Sequence, residues 1–410
     1  MDMKSQGLEK VRWASKFMPV LEEIRERFLE ERLFEGKKVG MCLHITAETA
    51  FVAEILANAG AKVKIASANP LSAQADIVEF LRTVDNIDVL GYKGMGIDDY
   101  RNSIEAVVDW EPDLIMDDGA ELTLAAHLKG IKSVIGATEE TASGYYKLLN
   151  YEEGAMLDFP VIATSFSYCH NLFDNRHGTS QSVIDGIIRA TNTMLQGKTI
   201  VVSGYGQCGS TFAHKAKGMG ANVVVTEVSP QRALEAALDG YRVCEMAQAA
   251  VEGDIFCTFT GNINVLRKEH FEMMKDNVIL CNAGHYDVEI DLRDLYNLSD
   301  KSVRVREYVR EFVKPDGKRI NLLTEGRIVN MTAAEGHPAA VMDISFALQM
   351  LSLELFLTDD GTLQPNLYEV PEYIDESIAH LKLEALGIHI DDLNHDQLAY
   401  LENNDMADVF

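Results

Sequence analysis

The sequence predicts an α/β chain of two doubly wound parallel-sheet domains, followed by a helical C-terminal segment. Three observations carry that reading. Short apolar runs alternate with segments of helical period along most of the chain, the pattern of strands buried on both faces of a sheet. Polar residues of mixed chemistry gather just after those runs, where the ligands of such sheets sit. A length of 410 residues also exceeds what one core usually serves, which argues for two domains.

Taken in order, KKVGMCLHI reads as a strand and TAFVAEILANAG as a helix closed by glycine. AKVKIAS and ADIVEFLRTV repeat the pair, and IDVLGY, DLIMDDG and KSVIGAT continue the series of strands. The segment SQSVIDGIIRATNTMLQG reads as a connecting helix ending in glycine. It leads to a second α/β unit through KTIVVSGYGQCGSTFAHKAKGMGANVVVTEV, GDIFCTFTG and NVILCNAGH. From GHPAAVMDISFALQMLSLELF onward the chain reads as helical, then loop-rich. The expected division is a first domain over 1–181, a second over 182–336, a return to the first over 337–395, and an acidic, partly mobile tail over 396–410.

The formal charge of −27 repels phosphate backbones and anionic lipid, so neither nucleic acid nor a membrane surface is expected as a partner. The first residues lack a signal-peptide core, and no run reads as long enough to cross a bilayer. Cys42, Cys169, Cys208, Cys244, Cys257 and Cys281 are scattered, without CxxC or zinc spacing. They read as reduced thiols in a cytoplasmic protein, and no metal is expected.

GYGQCG places Gly204, Gly206 and Gly209 in GxGxxG spacing. The pattern alone is weak. Here it follows the strand TIVVS, opens a helix, and is followed by NVVVTE, with Glu227 roughly 20 residues after Gly206. The first glycine permits the tight turn, the second lets a pyrophosphate approach, and the third lets helix and strand pack closely. The helix N-terminus, with Gln207 and Cys208, faces the phosphates. Glu227 suits ribose hydroxyls and repels a 2′-phosphate, which points to a Rossmann domain holding NAD rather than NADP.

With that fingerprint, the motifs MCLHITAETA, DDGAELT, EETASG, LFDNRHGTSQS, GYGQCG, VILCNAGHYDVEID and EGRIVNMTAAEGHPAAVMDISF make the chain resemble the adenosylhomocysteinase (S-adenosylhomocysteine hydrolase) family over nearly its whole length. The likeness is to the shorter archaeal and thermophilic branch, which includes enzymes of the inosyl analogue. The resemblance implies that the 3′-hydroxyl of a purine nucleoside is oxidised with NAD as acceptor. The C4′ proton is then removed, the group on C5′ leaves, water adds, and the 3′-hydroxyl is restored. The substrate is a purine nucleoside or its 5′-thioether, with S-adenosyl-L-homocysteine as the default. A homo-oligomer, dimer or tetramer, is implied as well.

Carried over residue by residue, the resemblance makes His44 and Asp118 acid–base groups around C4′ and C5′, and it groups His285 with them while matching His285 and His337 to the histidines that line the substrate entrance. Thr46, Glu48, Thr49 and His337 match residues that hold the nucleoside, and Glu140 and Asp174 match the pair facing the ribose hydroxyls. Thr141, Ser143, Asn175, Asn282 and Asn330 match cofactor contacts, although Ala142 has lost a hydroxyl of the usual run. Alone, His44 reads as a satisfied partly buried histidine and Asp117-Asp118 as a helix cap. Their convergence at strand ends is what favours function.

The chain departs from the family at FSYCHNLFDN. Counting back from Asp174, His170 falls on the family's lysine, which manages the 3′-hydroxyl proton, while Ser165 and Phe166 replace asparagine and aspartate. The usual Ser-Thr-Gln-Asp run reads Ser72-Ala73-Gln74-Ala75. Histidine titrates near neutrality and can accept the same proton, but its ring reaches from another angle. Two readings of His170 therefore stand, a working acid–base group and a weakened step. Beside the hydrolase, a lyase or dehydratase with another 5′ leaving group and a non-catalytic NAD-binding protein also remain open.

Overall fold

A computed structural model of the chain describes residues 2–154, 157–359 and 361–402. The strands run β1 Lys38–Leu43, β2 Lys62–Ser67, β3 Ile87–Val89, β4 Leu114–Asp117, β5 Gly136–Glu139, β6 Val161–Ala163, β7 Thr199–Ser203, β8 Asn222–Thr226, β9 Arg242–Val243, β10 Ile255–Thr258, β11 Val278–Asn282, β12 Lys301–Arg306, β13 Val309–Val313, β14 Arg319–Leu323 and β15 Leu367–Glu369. The first sheet has the order β15-β6-β5-β4-β1-β2-β3 and the second β12-β13-β14-β11-β10-β7-β8-β9. The first is parallel throughout. In the second, β12 and β13 form an antiparallel hairpin on the edge of an otherwise parallel sheet.

The central strands are apolar and buried, as parallel strands covered on both faces must be. Val39, Met41 and Leu43 point into one core and Cys42 into another across the same sheet. In each sheet the chain order reverses beside the first strand of the unit, between β1 and β4 and between β7 and β10. Loops leaving those strands diverge to opposite faces and open a crevice at each reversal. His44 follows β1, Asp118 follows β4, and the glycine turn follows β7.

Several elements differ from the sequence expectation. The connecting helix spans Thr179–Thr191 and stops well before Gly197, because Asn192 adopts a left-handed φ of 56°. Two N-terminal helices, Met3–Ser15 and Pro19–Glu31, were not anticipated. Within the segment expected to be loop-rich, β15 joins the first sheet. The helix Ala339–Thr358 is long and apolar enough to cross a membrane, contrary to the expectation that no run is. It is mostly buried as a core helix of the first unit. Of the expected tail, His395–Glu402 is helical, and 403–410 lie outside the described residues.

The fully buried Asp343 on that long helix locks three helices together. It accepts from the backbone N–H groups of Val20 (3.3 Å) and Leu21 (2.9 Å) and from Lys382 Nζ (2.7 Å). Replacing Lys382 by methionine strands a buried carboxylate, so Lys382→Met is expected to cost about 3 kcal/mol, read as a lower urea midpoint. Adding Asp343→Asn should recover part of that loss.

Candidate active site

A cavity of about 350 Å³ lies where the two reversals face each other, lined by loops of both units. One group in it is His44, Asp118 and His285. His44 Nε2 lies 3.3 Å from Asp118 Oδ2, and His285 Nδ1 lies 3.7 Å from Asp118 Oδ1. Burial pushes both imidazoles down to about 4, with Asp118 partly opposing it at His44. Burial also raises the Asp118 carboxyl, against the attraction of His44. His44 Nδ1 sits 2.6 Å from Ser72 Oγ, which is also 3.1 Å from the Asn69 carbonyl. A single hydroxyl proton serves both contacts, so the ring can take either tautomer.

A second group is Glu140, His170 and Asp174. Ser167 caps the turn Tyr168–His170, accepting from the His170 N–H at 3.1 Å. The chain then enters a π-helical turn over Asn171–Gly178, a wide turn often found at functional sites. It sets Asp174 Oδ1 3.9 Å from His170 Nε2, while Glu140 Oε1 lies 3.7 Å from His170 Nδ1. His170 is only 4% exposed, and burial lowers its pKa despite the pull of Asp174. His337 Nδ1 approaches Asp174 Oδ2 at 3.0 Å. Burial opposes charge on both, but their mutual attraction prevails, lowering Asp174 and raising His337.

Sequence reasoning missed two residues of this group. Ser345 Oγ donates to Asp174 Oδ2 (3.1 Å) and lies 3.4 Å from His170 Nδ1. Gln349 Nε2 donates to Glu140 Oε2, and Gln349 Oε1 accepts from Thr138 Oγ1 at 2.8 Å. The available signal was chemical: Asp343, Ser345, Gln349 and Ser352 interrupt a largely apolar helix and are all fully buried. Buried polar groups require partners.

Thr46 caps the helix Ala47–Asn58, accepting from the Thr49 N–H, and Thr49 Oγ1 donates to the His44 carbonyl. That fixes the loop bearing His44. Glu48, in the first turn, lines the cavity with Thr46, Thr49 and His337, and burial raises its carboxyl.

A family model described as S-adenosyl-L-homocysteine hydrolase matches residues 1–134, and one described as its NAD-binding domain matches 175–336. The chain is 47% identical to the adenosylhomocysteinase of Aquifex aeolicus, covering 99% of this chain and 98% of that one. It is 46% identical to the adenosylhomocysteinase of Archaeoglobus fulgidus (97% and 98% covered). It is also 46% identical to the S-inosyl-L-homocysteine hydrolase of Methanopyrus kandleri (97% and 95%). The chain belongs to the S-adenosyl-L-homocysteine hydrolase family.

The second unit has the shape that the family's NAD requires. Gly204 has φ of +95°, and a Cβ on Gly209 would fall 2.0 Å from the Gly204 carbonyl. The turn therefore closes only on glycine, and it opens the helix Gln207–Gly218. Thr141, Ser143, Asn175, Cys208 and Asn330 reach the main cavity, where Ser143 Oγ and Asn330 Oδ1 are buried without a hydrogen-bond partner among the described residues. A neighbouring cavity of about 500 Å³ contains Gly204 and Glu227 and shares Phe259 and Thr260 with the first. The two make one long site of dinucleotide size and chemistry.

Other residues of the motif have local tasks. Glu227 accepts from the N–H groups of Tyr205 (2.7 Å), Val228 (2.6 Å) and Ser229 (2.9 Å). Burial opposes its charge, and these bonds more than compensate. Arg232, not singled out from the sequence, lies over the turn, 2.4 Å from where a Gly206 Cβ would stand. Gln207 Oε1 accepts from Arg176. Burial takes the Cys208 thiol up to about 12, so it serves as wall rather than nucleophile.

Among the candidate cofactor residues, Gly206, Gln207, Gly209 and Asn282 are outside the lining of both cavities, and Asn282 is held by its own bonds. Its amide donates to the carbonyls of Gly284, Tyr286 and Gly326 and accepts from Thr258 Oγ1 and the Gly284 N–H. It holds the loop that carries His285. Gly209→Ala is expected to force the turn open and strip most of the NAD from the purified protein while leaving it folded. Cofactor released on acid extraction, set beside the circular dichroism spectrum, checks this.

Proposed function

We propose that the chain is an adenosylhomocysteinase, splitting S-adenosyl-L-homocysteine with water into adenosine and L-homocysteine, reversibly. The observation that carries the reading is one cavity holding both an imidazole–carboxylate pair able to exchange a proton and a second cluster rich in hydroxyl acceptors, beside the dinucleotide turn. When bound, NAD supplies the redox chemistry, accepting a hydride from C3′ and returning it at the end. The glycine turn, Glu227, Thr141, Ser143, Asn175 and Asn330 hold it.

Asp174 and the unpartnered Oε1 of Glu140 accept from the ribose hydroxyls. His170, kept neutral by burial, takes the 3′-hydroxyl proton, the task of the family's lysine. With C3′ a ketone, the C4′ proton becomes acidic, and the His44–Asp118 pair with His285 alongside removes it. The same groups protonate the leaving sulfur and deprotonate the incoming water. Thr46, Glu48 and His337 hold the purine, where a carboxylate suits an exocyclic amine. The division at 181/182 and 336/337, a homo-oligomeric assembly and a cytoplasmic location belong to the same reading.

The hydrolase names of the relatives favour hydrolysis over the lyase and the non-catalytic protein. The test is to give NAD-loaded protein S-adenosylhomocysteine, adenosine or inosine, following the reduced-nicotinamide band and identifying products by mass spectrometry. Adenosine and homocysteine are expected. An unsaturated nucleoside without homocysteine would indicate the lyase, and silence with NAD bound would indicate a binding protein.

For His170, the depressed pKa leaves the ring a neutral base at neutral pH, and that form is lost as pH falls through a value below the ordinary 6.5. Nicotinamide reduction by adenosine should thus hold steady through neutrality and fall only in acid. His170→Gln should slow it about 100-fold or more and remove that acid limb, as stopped-flow absorbance across pH would record.

A further inference from the structure

A chamber of about 830 Å³ adjoins the catalytic cavity. Glu48, Glu335 and His337 line both, so the two meet where the purine is placed in the preceding section. Its walls include the helix Met3–Ser15, Phe17 just beyond it, and the helix Thr179–Thr191. The first helix is held close to the start of the helix Ala75–Leu81. A Cβ on Gly7 would stand 2.1 Å from the Asp76 carbonyl oxygen, and Lys10 pairs with the Asp76 side chain at 2.7 Å. Glycine permits that crossing, and the helix thereby sets Trp13 at the chamber.

The charged side chains of the chamber are paired off. Besides Lys10 with Asp76, Arg189 holds Asp185 and Glu335, each at 3.0 Å, and Glu9 holds Arg12 at 2.9 Å. His337 is taken by Asp174. Among the described residues, Glu48 is the one charged side chain of the lining without an ion pair. An anionic group entering here meets no free cation. It meets apolar surface instead: Trp13 is 63% exposed and Phe17 45%, with ring centroids 5.3 Å apart. Lys16 Nζ stands 5.3 Å over the Trp13 ring and leaves most of the indole open to solvent. Two exposed rings beside paired charges suit a flat or apolar group.

We infer that this chamber receives a substituent on the exocyclic amine of the purine, so that the chain takes 6-alkylamino- and 6-arylaminopurine nucleosides as well as adenosine. The inference rests on the hydrolase reading of the preceding section and widens its substrate class. A singly substituted amine keeps one N–H for Glu48 to accept. Its substituent points away from that bond, past the shared wall and into the chamber. There it stacks on Trp13 and Phe17 and takes apolar area out of water on both sides of the contact. A doubly substituted amine has no N–H, and the Glu48 carboxylate would lose its donor. The reacting carbons of the sugar lie at the other end of the nucleoside, so the chemistry is the same for every base that fits.

Titrating NAD-loaded protein with three ribosides, and following the reduced-nicotinamide band, tests the assignment. 6-Benzylaminopurine riboside should half-saturate the signal at a concentration no higher than adenosine does. 6-Dimethylaminopurine riboside should need about ten-fold more. Trp13→Ala should raise the half-saturating concentration of the benzylamino compound about five-fold, and Trp13→Phe should recover part of that loss. Adenosine should titrate both variants as it does the wild type, which also reports that they are folded. A benzylamino compound that is silent where adenosine is active means a closed wall and overturns the inference alone. A Trp13→Ala shift of equal size for adenosine overturns it too, because the helix would then act on the whole site, as it would if a second copy of the chain covered that face. Equal acceptance of the dimethylamino compound overturns the part given to Glu48. Silence of the wild type with adenosine, NAD being bound, overturns the hydrolase reading, and this inference with it.

Discussion

Buried carboxylates tied to backbone N–H groups hold this site in shape. Glu139, fully buried at the end of β5, accepts from the N–H groups of Gly119 and Ala120 at 2.8 Å and of Thr141 at 2.9 Å. Asp117 accepts from Asp118 (3.0 Å) and Thr123 (2.7 Å). Two side chains thus fix the loops that present Asp118, Glu140 and Thr141. Gly144 belongs to the same device, since a Cβ there would fall 2.1 Å from Glu139 Oε1. The second unit repeats the solution with Glu289, which accepts from Thr260 (3.0 Å) and Gly261 (2.9 Å) and crowds Gly284. Such bonds satisfy backbone that would otherwise be orphaned at strand ends, and they give loops the rigidity that catalytic geometry requires.

Against that rigid frame, His170 sits as a buried neutral ring between two acidic side chains. A lysine would place an ammonium between Glu140 and Asp174, whereas the buried imidazole is neutral. The positive charge that steadies Asp174 comes instead from His337, with Ser345 donating a further bond. Gln349 and Thr164 serve Glu140. Both acidic side chains are therefore held by neighbours other than His170.

Much of this was legible in the sequence. Strands such as TIVVS and KVGMCL stand out because a parallel strand covered on both faces is apolar without alternation, and the glycine turn declares itself by its strand–helix context. The hairpin of β12 and β13 was not, because KSVRVR and VREFV alternate charge with valine at an exposed edge and resemble surface loops. Ser345 and Gln349 were missed for another reason: their partners lie 175 and 209 residues away in the chain. The likeness to a family also names residues without saying which atoms are free. Asn282 matches the motif, yet its amide is fully engaged in shaping a loop.

The two clusters differ in what their environments do to the proton. At His44 and Asp118, burial drives the imidazole down to about 4 and pushes the carboxyl above its ordinary 3.8, against the attraction of His44. Whichever tautomer Ser72 selects, one proton can lie between Nε2 and Asp118 Oδ2, 3.3 Å apart, on either the ring or the carboxyl. At His337 and Asp174 the acidities are driven apart. The proton stays on the imidazole, and Asp174 remains an acceptor at any working pH. Under the proposed roles, the first arrangement serves the removal and return of the C4′ proton, and the second serves to hold the ribose hydroxyls.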